Sequence, residues 1–160
     1  MVSCSGHSGG GAIIRTANKS DEPAVRRCAE RAYERYIAAI GRKPAPMVAD
    51  FETQIEAGLI HAAFDANGLL LGFIVFLPKD NHMFLENVAV DPSAAGAGVG
   101  KALIRYCEET ARREGLGSVR LYTNEKMIEN LAIYPHLGFV ETERRSEDGF
   151  NRVYFEKRLV

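Results

Sequence analysis

Hydrophobic and polar positions change period several times along this chain, and each change marks an element. Ile13 to Thr16 is a short β-type run. Ser20, Asp21, Glu22 and Pro23 follow it: a capping side chain, acids for a first turn and an early proline, the signature of a helix start. From Val25 through Cys28, Ala29, Ala32, Tyr36, Ile37 and Ile40 the apolar residues recur at helical spacing, with Arg26, Arg27, Glu30, Arg31, Glu34 and Arg35 between them. That stripe predicts an amphipathic helix stopping at Gly41. Arg42-Lys43-Pro44-Ala45-Pro46 cannot extend it, because each proline disfavours helical geometry at the residue before it. Met47, Phe51 and Ile55 then space out a second short helix that ends at Gly58.

Leu59 to Phe64, Leu69 to Leu77 and His82 to Val90 read as β-rich runs joined by Asp65-Ala66-Asn67-Gly68 and Pro78-Lys79-Asp80-Asn81, which predicts an antiparallel meander. A Gly/Ala-rich loop after Asp91-Pro92 leads into a strong amphipathic helix carrying Leu103, Ile104, Cys107, Thr110 and Ala111 on one face and closing near Gly115. Val119 to Thr123 is a strand and Ile128 to Leu137 a short helix. Phe139 to Glu143 and Arg152 to Leu159 form a closing hairpin around Asp148-Gly149. Helices and strands are mixed without strict alternation, so the class is α/β in the α+β sense, a mixed and mostly antiparallel sheet. Residues 12–160 are expected to form one domain. Residues 1–11, rich in Gly and Ser and lacking a secretory pattern, are expected to be a flexible tail.

Composition narrows the partners. Twenty Lys and Arg against 21 Asp and Glu leave a net charge of −1, which argues against a nucleic acid as the main partner. The richest apolar stretch, Gly68 to Pro78, is about half the roughly 20 residues of a membrane span, so no membrane association is expected. Cys4, Cys28 and Cys107 are odd in number and widely spaced, and His7, His61, His82 and His136 are scattered. Neither a disulfide framework nor a metal site is suggested, and a reducing cytoplasm is the simplest setting. No motif encodes the oligomeric state, and a homodimer stays open.

The segment richest in chemistry runs from Val88 through Val90-Asp91-Pro92 to Ala95-Gly96-Ala97-Gly98-Val99-Gly100-Lys101, a strand turning through glycines into a helix N-terminus. Such a turn exposes backbone N–H groups beside the positive end of a helix dipole, a site for phosphate. Aligned on Gly100-Lys101, the NTPase loop would need Gly at 95 and Ser or Thr at 102, where the chain has Ala95 and Ala102. The dinucleotide fingerprint aligned on Gly96 and Gly98 fails at Lys101, and a meander precedes it in place of a βαβ unit.

Val90-Asp91-Pro92 followed by Ala95-Gly96-Ala97-Gly98-Val99-Gly100 resembles the GCN5-related N-acetyltransferase (GNAT) family, whose acetyl-CoA loop reads Arg/Gln-x-x-Gly-x-Gly/Ala after such a strand. Ala95 stands where the family carries Arg or Gln. Downstream, Leu121-Tyr122-Thr123-Asn124, then Glu129-Asn130-Leu131 and Tyr134-Pro135-His136-Leu137-Gly138-Phe139, look like the family's strand, helix and Tyr-x-x-x-Gly-Phe segment. The resemblance implies a GNAT-like acyl-CoA N-acyltransferase fold, with six to seven strands flanked by about four helices. It also implies acetyl-CoA as cosubstrate, without a metal, and direct transfer to an amine in a ternary complex.

It further implies roles. The Val88 main chain would hold the thioester oxygen and Val90 the pantetheine arm, with Ala89 between them. The loop residues Ala95, Gly96, Ala97, Gly98, Val99, Gly100 and Lys101 would take the diphosphate, and Tyr134 would give a proton to the leaving thiolate. Asn130 resembles the asparagine that holds the CoA arm, although it stands four residues before Tyr134 instead of the more usual seven. Among the residues themselves, Glu86 is the best candidate base for the amine, since two-residue spacing puts it on the face of Val88; a water chain would serve equally. Tyr33, Tyr36, Arg42, Met47, Phe51, Arg145, Phe150 and Arg152 fall where the family lines its acceptor side, and their aromatic and cationic mix suits an amine that also carries a carboxylate or a peptide-like group, on a small-molecule or peptide-like acceptor. A non-catalytic acyl-CoA binding or sensing module is the alternative; a macromolecular acceptor would call for a more basic surface.

Overall fold

The computed structural model describes residues 12–159, so the expected tail at 1–11 lies outside the described residues. Seven strands, β1 (Ile13–Thr16), β2 (Ile60–Phe64), β3 (Leu70–Lys79), β4 (His82–Val90), β5 (Ser118–Asn124), β6 (Val140–Glu147) and β7 (Phe150–Arg158), form one sheet in the order β1-β2-β3-β4-β5-β7-β6. Every neighbouring pair is antiparallel except β4 and β5, which run parallel. Four helices flank it: α1 (Glu22–Tyr33), α2 (Phe51–Glu56), α3 (Val99–Arg113) and α4 (Ile128–His136).

The sheet divides the core into two layers. On one face α3 lays Val99, Leu103, Cys107 and Ala111 on Ile74, Phe76, Met83 and Leu85, and α4 adds Tyr134. On the other, α1 and α2 lay Val25, Cys28, Ala29, Phe51 and Ile55 on Ile60, Phe73 and Val75. Phe51 meets Phe73 edge to face at 5.6 Å between ring centroids. Burying both thiols in these layers pushes Cys28 up to about 12 and Cys107 still higher, so both are packing residues and not nucleophiles.

The predicted first helix ends earlier than its apolar stripe. A capping box starts it, with the Asn18 side chain accepting from Ser20 N–H and Asp21 accepting from Asn18 N–H. After Tyr33 it tightens into a 3₁₀ turn, Glu34–Tyr36, and a last helical turn, Ile37–Ile40, which Gly41 closes at φ 90°. Residues three apart eclipse in a 3₁₀ turn. The tightening aligns Tyr33, bonded to β4, with Tyr36, bonded to Glu129 of α4. The closing hairpin is longer than predicted, because β6 is almost wholly exposed and charged and carries no apolar alternation to read.

Two contacts set the position of the loop that follows β4. Gly72 lies opposite Val90, and a Cβ there would stand 2.7 Å from Ala89 O. Arg31 of α1 holds Asp91 through Nε to Oδ1 at 2.8 Å, while Asp91 Oδ2 accepts from Ser93 N–H at 3.0 Å. Hydrogen bonding to Arg31, above all, lowers the Asp91 carboxyl from 3.8 to about 2.

Gly72→Ala is expected to destabilise the fold by about 1–3 kcal/mol by driving β3 and β4 apart; an unchanged denaturation midpoint would contradict the close approach. A carboxyl whose native pKa is depressed stabilises above its unfolded value and loses that contribution as pH falls through the native one. Asp91→Asn therefore lowers the midpoint at neutral pH, and its gap from wild type narrows as pH falls from about 5 to about 2; a gap independent of pH excludes the ion pair as the cause.

Candidate active site

β4 and β5 pair at Met83–Val119 and Phe84–Arg120 and then part. A cleft of about 570 Å³ opens where they separate, walled by residues 84–88 of β4, 120–124 of β5, Arg152 and Tyr154 of β7, Asn130 and Tyr134 of α4, and the proline loop at 44–46. Parting leaves one edge of β4 without a strand partner. Asp91 N–H bonds Leu71 O across to β3 at 2.8 Å, and N–H direction alternates along a strand. The Ala89 N–H therefore also turns to β3, while those of Val88 and Val90 turn toward the opening. Ala89 is thus not a donor to a ligand: its main chain belongs to the ladder and its side chain to the layer under α1.

A bulge breaks the side-chain alternation of β4. The β3–β4 register steps from Val75–Asn87 to Phe76–Leu85 and leaves Glu86 unpaired. Leu85 and Val88 consequently pack on the same layer, while Glu86 reaches the other side and accepts from Gln54 Nε2 of α2 at 2.6 Å. Glu86 therefore does not share the face of Val88, contrary to the two-residue spacing, although both line the cleft.

Asn87, which no motif marks, is 4% exposed. Its Oδ1 accepts from the Tyr33 hydroxyl at 2.7 Å and its Nδ2 donates to Pro46 O at 3.2 Å. Tyr33 also lies 2.9 Å from Val88 O, so its one proton is shared between two acceptors. This network clamps the bulge to α1 and to the proline loop. A polar amide inside the apolar run Met83 to Val90 was its sequence signal.

Tyr134 is buried against Phe139 at 5.7 Å and Phe155 at 5.6 Å. Its hydroxyl has no hydrogen-bond partner among the described residues, and the residue lines the cleft. A core tyrosine held only for packing usually has its hydroxyl satisfied; this one is available to a ligand. Burial raises its pKa well above the ordinary value, which keeps the phenol protonated. Asn130 spends its Nδ2 on Thr123 Oγ1 at 3.2 Å, tying the first turn of α4 to β5.

The glycine loop lies just past the end of β4, beyond the lining of this cleft. Pro92–Ala94 forms a 3₁₀ turn, and Gly96 and Gly98 both adopt φ 82°, conformations that L side chains rarely take. Ala95 and Ala97 spend their N–H groups on Pro92 O and Ala94 O at 3.2 Å, so these two shape the loop without donating outward. The N–H groups of Gly96, Gly98, Val99, Gly100 and Lys101 have no partner among the described residues, and they stand at the N-terminus of a 15-residue helix.

Of the expected acceptor residues, Tyr33, Arg145, Phe150 and Arg152 line the cleft. Met47 and Phe51 do not, because both are core residues beneath α1 and α2. Tyr36 is buried and donates to Glu129, and Arg42 lies outside the lining, stacked 3.8 Å over the Phe150 ring and bonded to Asp148 O. Phe84, Tyr122 and Tyr154, of which only Tyr122 was marked in the sequence and only as part of a strand, form a cross-strand row with ring centroids 5.7 and 5.2 Å apart.

The family model described as the Acetyltransferase (GNAT) family matches residues 23–139. The glucosamine 6-phosphate N-acetyltransferase of Trypanosoma brucei brucei is 46% identical over 61 residues, 38% of this chain and 40% of that protein. In the fold, the PaiA N-acetyltransferase of Thermoplasma acidophilum, solved with coenzyme A, superposes with a TM-score of 0.75 at 19% identity over 93% of this chain and 99% of that one. A GNAT-family acetyltransferase of Staphylococcus aureus MU50 gives 0.74 at 17% identity over 94% and 100%. With the family model spanning the meander, the glycine loop and the Tyr134 segment, the chain belongs to the GNAT acetyltransferase family.

Proposed function

We propose that the protein transfers the acetyl group of acetyl-CoA directly to a primary amine of a small-molecule or peptide-like acceptor. The observation that carries this reading is the set of unspent donors along one path. The outward N–H groups of the glycine loop come first, then those of Val90 and Val88, then the unpartnered phenol of Tyr134. Diphosphate suits the loop, where main-chain donors meet the helix dipole. The pantetheine amides suit Val90, and the thioester carbonyl suits Val88.

In the reaction the amine nitrogen bonds to the thioester carbon while the carbonyl oxygen gains charge against the Val88 N–H. The C–S bond then breaks, and the thiolate leaves with the bonding pair. The amine's surplus proton passes to Glu86, directly or through water, and the thiolate is stabilised by the Tyr134 phenol. Complete proton transfer from a phenol with a raised pKa to a thiolate of pKa about 8.5 runs uphill, so Tyr134 acts chiefly as a hydrogen-bond donor to the leaving sulfur. The buried thiols of Cys28 and Cys107 offer no acetyl-enzyme route.

CoA-thiol release with an amine panel tests the reading. Amine-dependent release supports it, and binding of CoA without release by any amine would mark a binding module. Tyr134→Phe is expected to lower kcat by about tenfold to a hundredfold with a smaller change in the KM for acetyl-CoA; full retention would remove the tyrosine from the chemistry. The kcat/KM profile is expected to rise as the acceptor amine deprotonates and to show no fall due to Tyr134 below about pH 10, because its burial keeps the phenol protonated. A descending limb near pH 8 that vanishes in Tyr134→Phe would contradict that assignment. Glu86→Gln should lower kcat at every pH, because the proton is shed after the neutral amine has attacked; an unchanged kcat argues against a base.

A further inference from the structure

The charge of the cleft differs from that of the chain. Against a net of −1 overall, its lining holds Lys79, Arg120, Arg145 and Arg152 with Glu86 as the one acid. These cations are not equivalent. Arg120 is about half exposed and bonded to Glu156 at 2.9 Å, and Arg145, similarly exposed, is committed to Glu143.

Arg152 is different. Its side chain is only 13% exposed, and its guanidinium stacks 4.3 Å over the Tyr122 ring, which fixes its plane. Its hydrogen bond runs from Nη1 to Glu147 Oε1 at 3.4 Å, and its nearest approach to Asp148 is Nη1 to Oδ2 at 3.7 Å. Nε and Nη2 have no partner among the described residues. Glu147 is shared, since it also takes the Tyr154 hydroxyl and Arg145. A mostly buried, stacked guanidinium with one long hydrogen bond, a still longer ion contact and two donor atoms without a hydrogen bond is poised for a better anion, because a planar fork binds carboxylate or phosphate through two parallel hydrogen bonds.

We propose that Arg152 is the seat for an anionic group on the acceptor, with Glu147 as the internal counter-ion which that group displaces. The substrate class is then an amine carrying a phosphate or a carboxylate, its carbon frame lying on the Tyr122 and Tyr154 rings. This rests on the acetyl-transfer reading above.

Two matched pairs of acceptors separate the sources of the anion: glucosamine 6-phosphate with glucosamine, and 6-aminohexanoate with hexylamine. Wild type is expected to favour at least one anionic member by about tenfold or more in kcat/KM, the first pair reporting phosphate and the second carboxylate. In Arg152→Gln that ratio collapses to within a few-fold of one, and the loss falls in the KM of the anionic member. Glu147→Gln, which leaves Arg152 in place and an amide oxygen for Tyr154, is expected to lower the same KM several-fold.

Equal use of both members of both pairs by wild type overturns the proposal, as does a preference that survives Arg152→Gln. If no amine releases CoA, the acetyl-transfer reading falls by itself. Calorimetric titration with the two anionic amines then decides the seat: binding of either one that is lost in Arg152→Gln supports it, and no binding of either overturns it.

Discussion

The separation of β4 from β5 is the constraint on which the rest of this molecule turns. Two parallel strands that pair at only two positions leave polar main-chain groups that a closed sheet would have satisfied, and buried groups of that kind demand a partner. The bulge at Glu86 fits β4 to this arrangement. It turns Asn87 under α1, where Tyr33 and Pro46 hold it, and it leaves the Val88 N–H facing the opening. Both helical layers contribute to the same cleft. Tyr33 reaches it from α1 and Tyr134 from α4, and the Tyr36–Glu129 bond joins the 3₁₀ turn after α1 to α4.

The proposed reading gives anions two physically distinct seats. The glycine loop offers main-chain donors at a helix terminus and needs no cation, so a chain with a net charge of −1 is suited to a diphosphate there. The aromatic floor of Phe84, Tyr122 and Tyr154 carries its cations stacked on rings, with Lys79 4.5 Å over Phe84 and Arg152 4.3 Å over Tyr122. Cations held in this way keep their orientation while giving up part of their hydration. Under the proposed reading, main-chain recognition of a diphosphate at one end and oriented recognition of an anion at the other would suit a long cosubstrate and a small acceptor.

Much of the fold was legible because its elements alternate or repeat cleanly. β1, the meander and α3 fall within a residue or two of their apolar patterns. The glycine loop was legible because positive φ at Gly96 and Gly98 demands the residue that is there. What escaped depended on contacts between distant elements. β6 carries charge on both faces and is held by its ladder to β7, so no period betrayed its length. The faces of Glu86 and Val88 were misjudged because strict alternation fails at a bulge, and a bulge is a property of the pair β3–β4. Arg152 was legible as a cation on the expected acceptor side, but not as the one with donors left over, since that follows from Tyr122 stacking and from Glu147 being shared.

Uncharged main-chain donors along the parted edge of β4 and the glycine loop are proposed to hold the CoA portion of the cosubstrate. Amide resonances followed on titration with CoA provide the test. The N–H signals of Val88, Val90, Gly96, Gly98, Val99, Gly100 and Lys101 are expected to shift together with one dissociation constant, while that of Ala89, committed to the ladder with β3, moves least. CoA binding that leaves the Val88, Val90 and glycine-loop amides unmoved would contradict it.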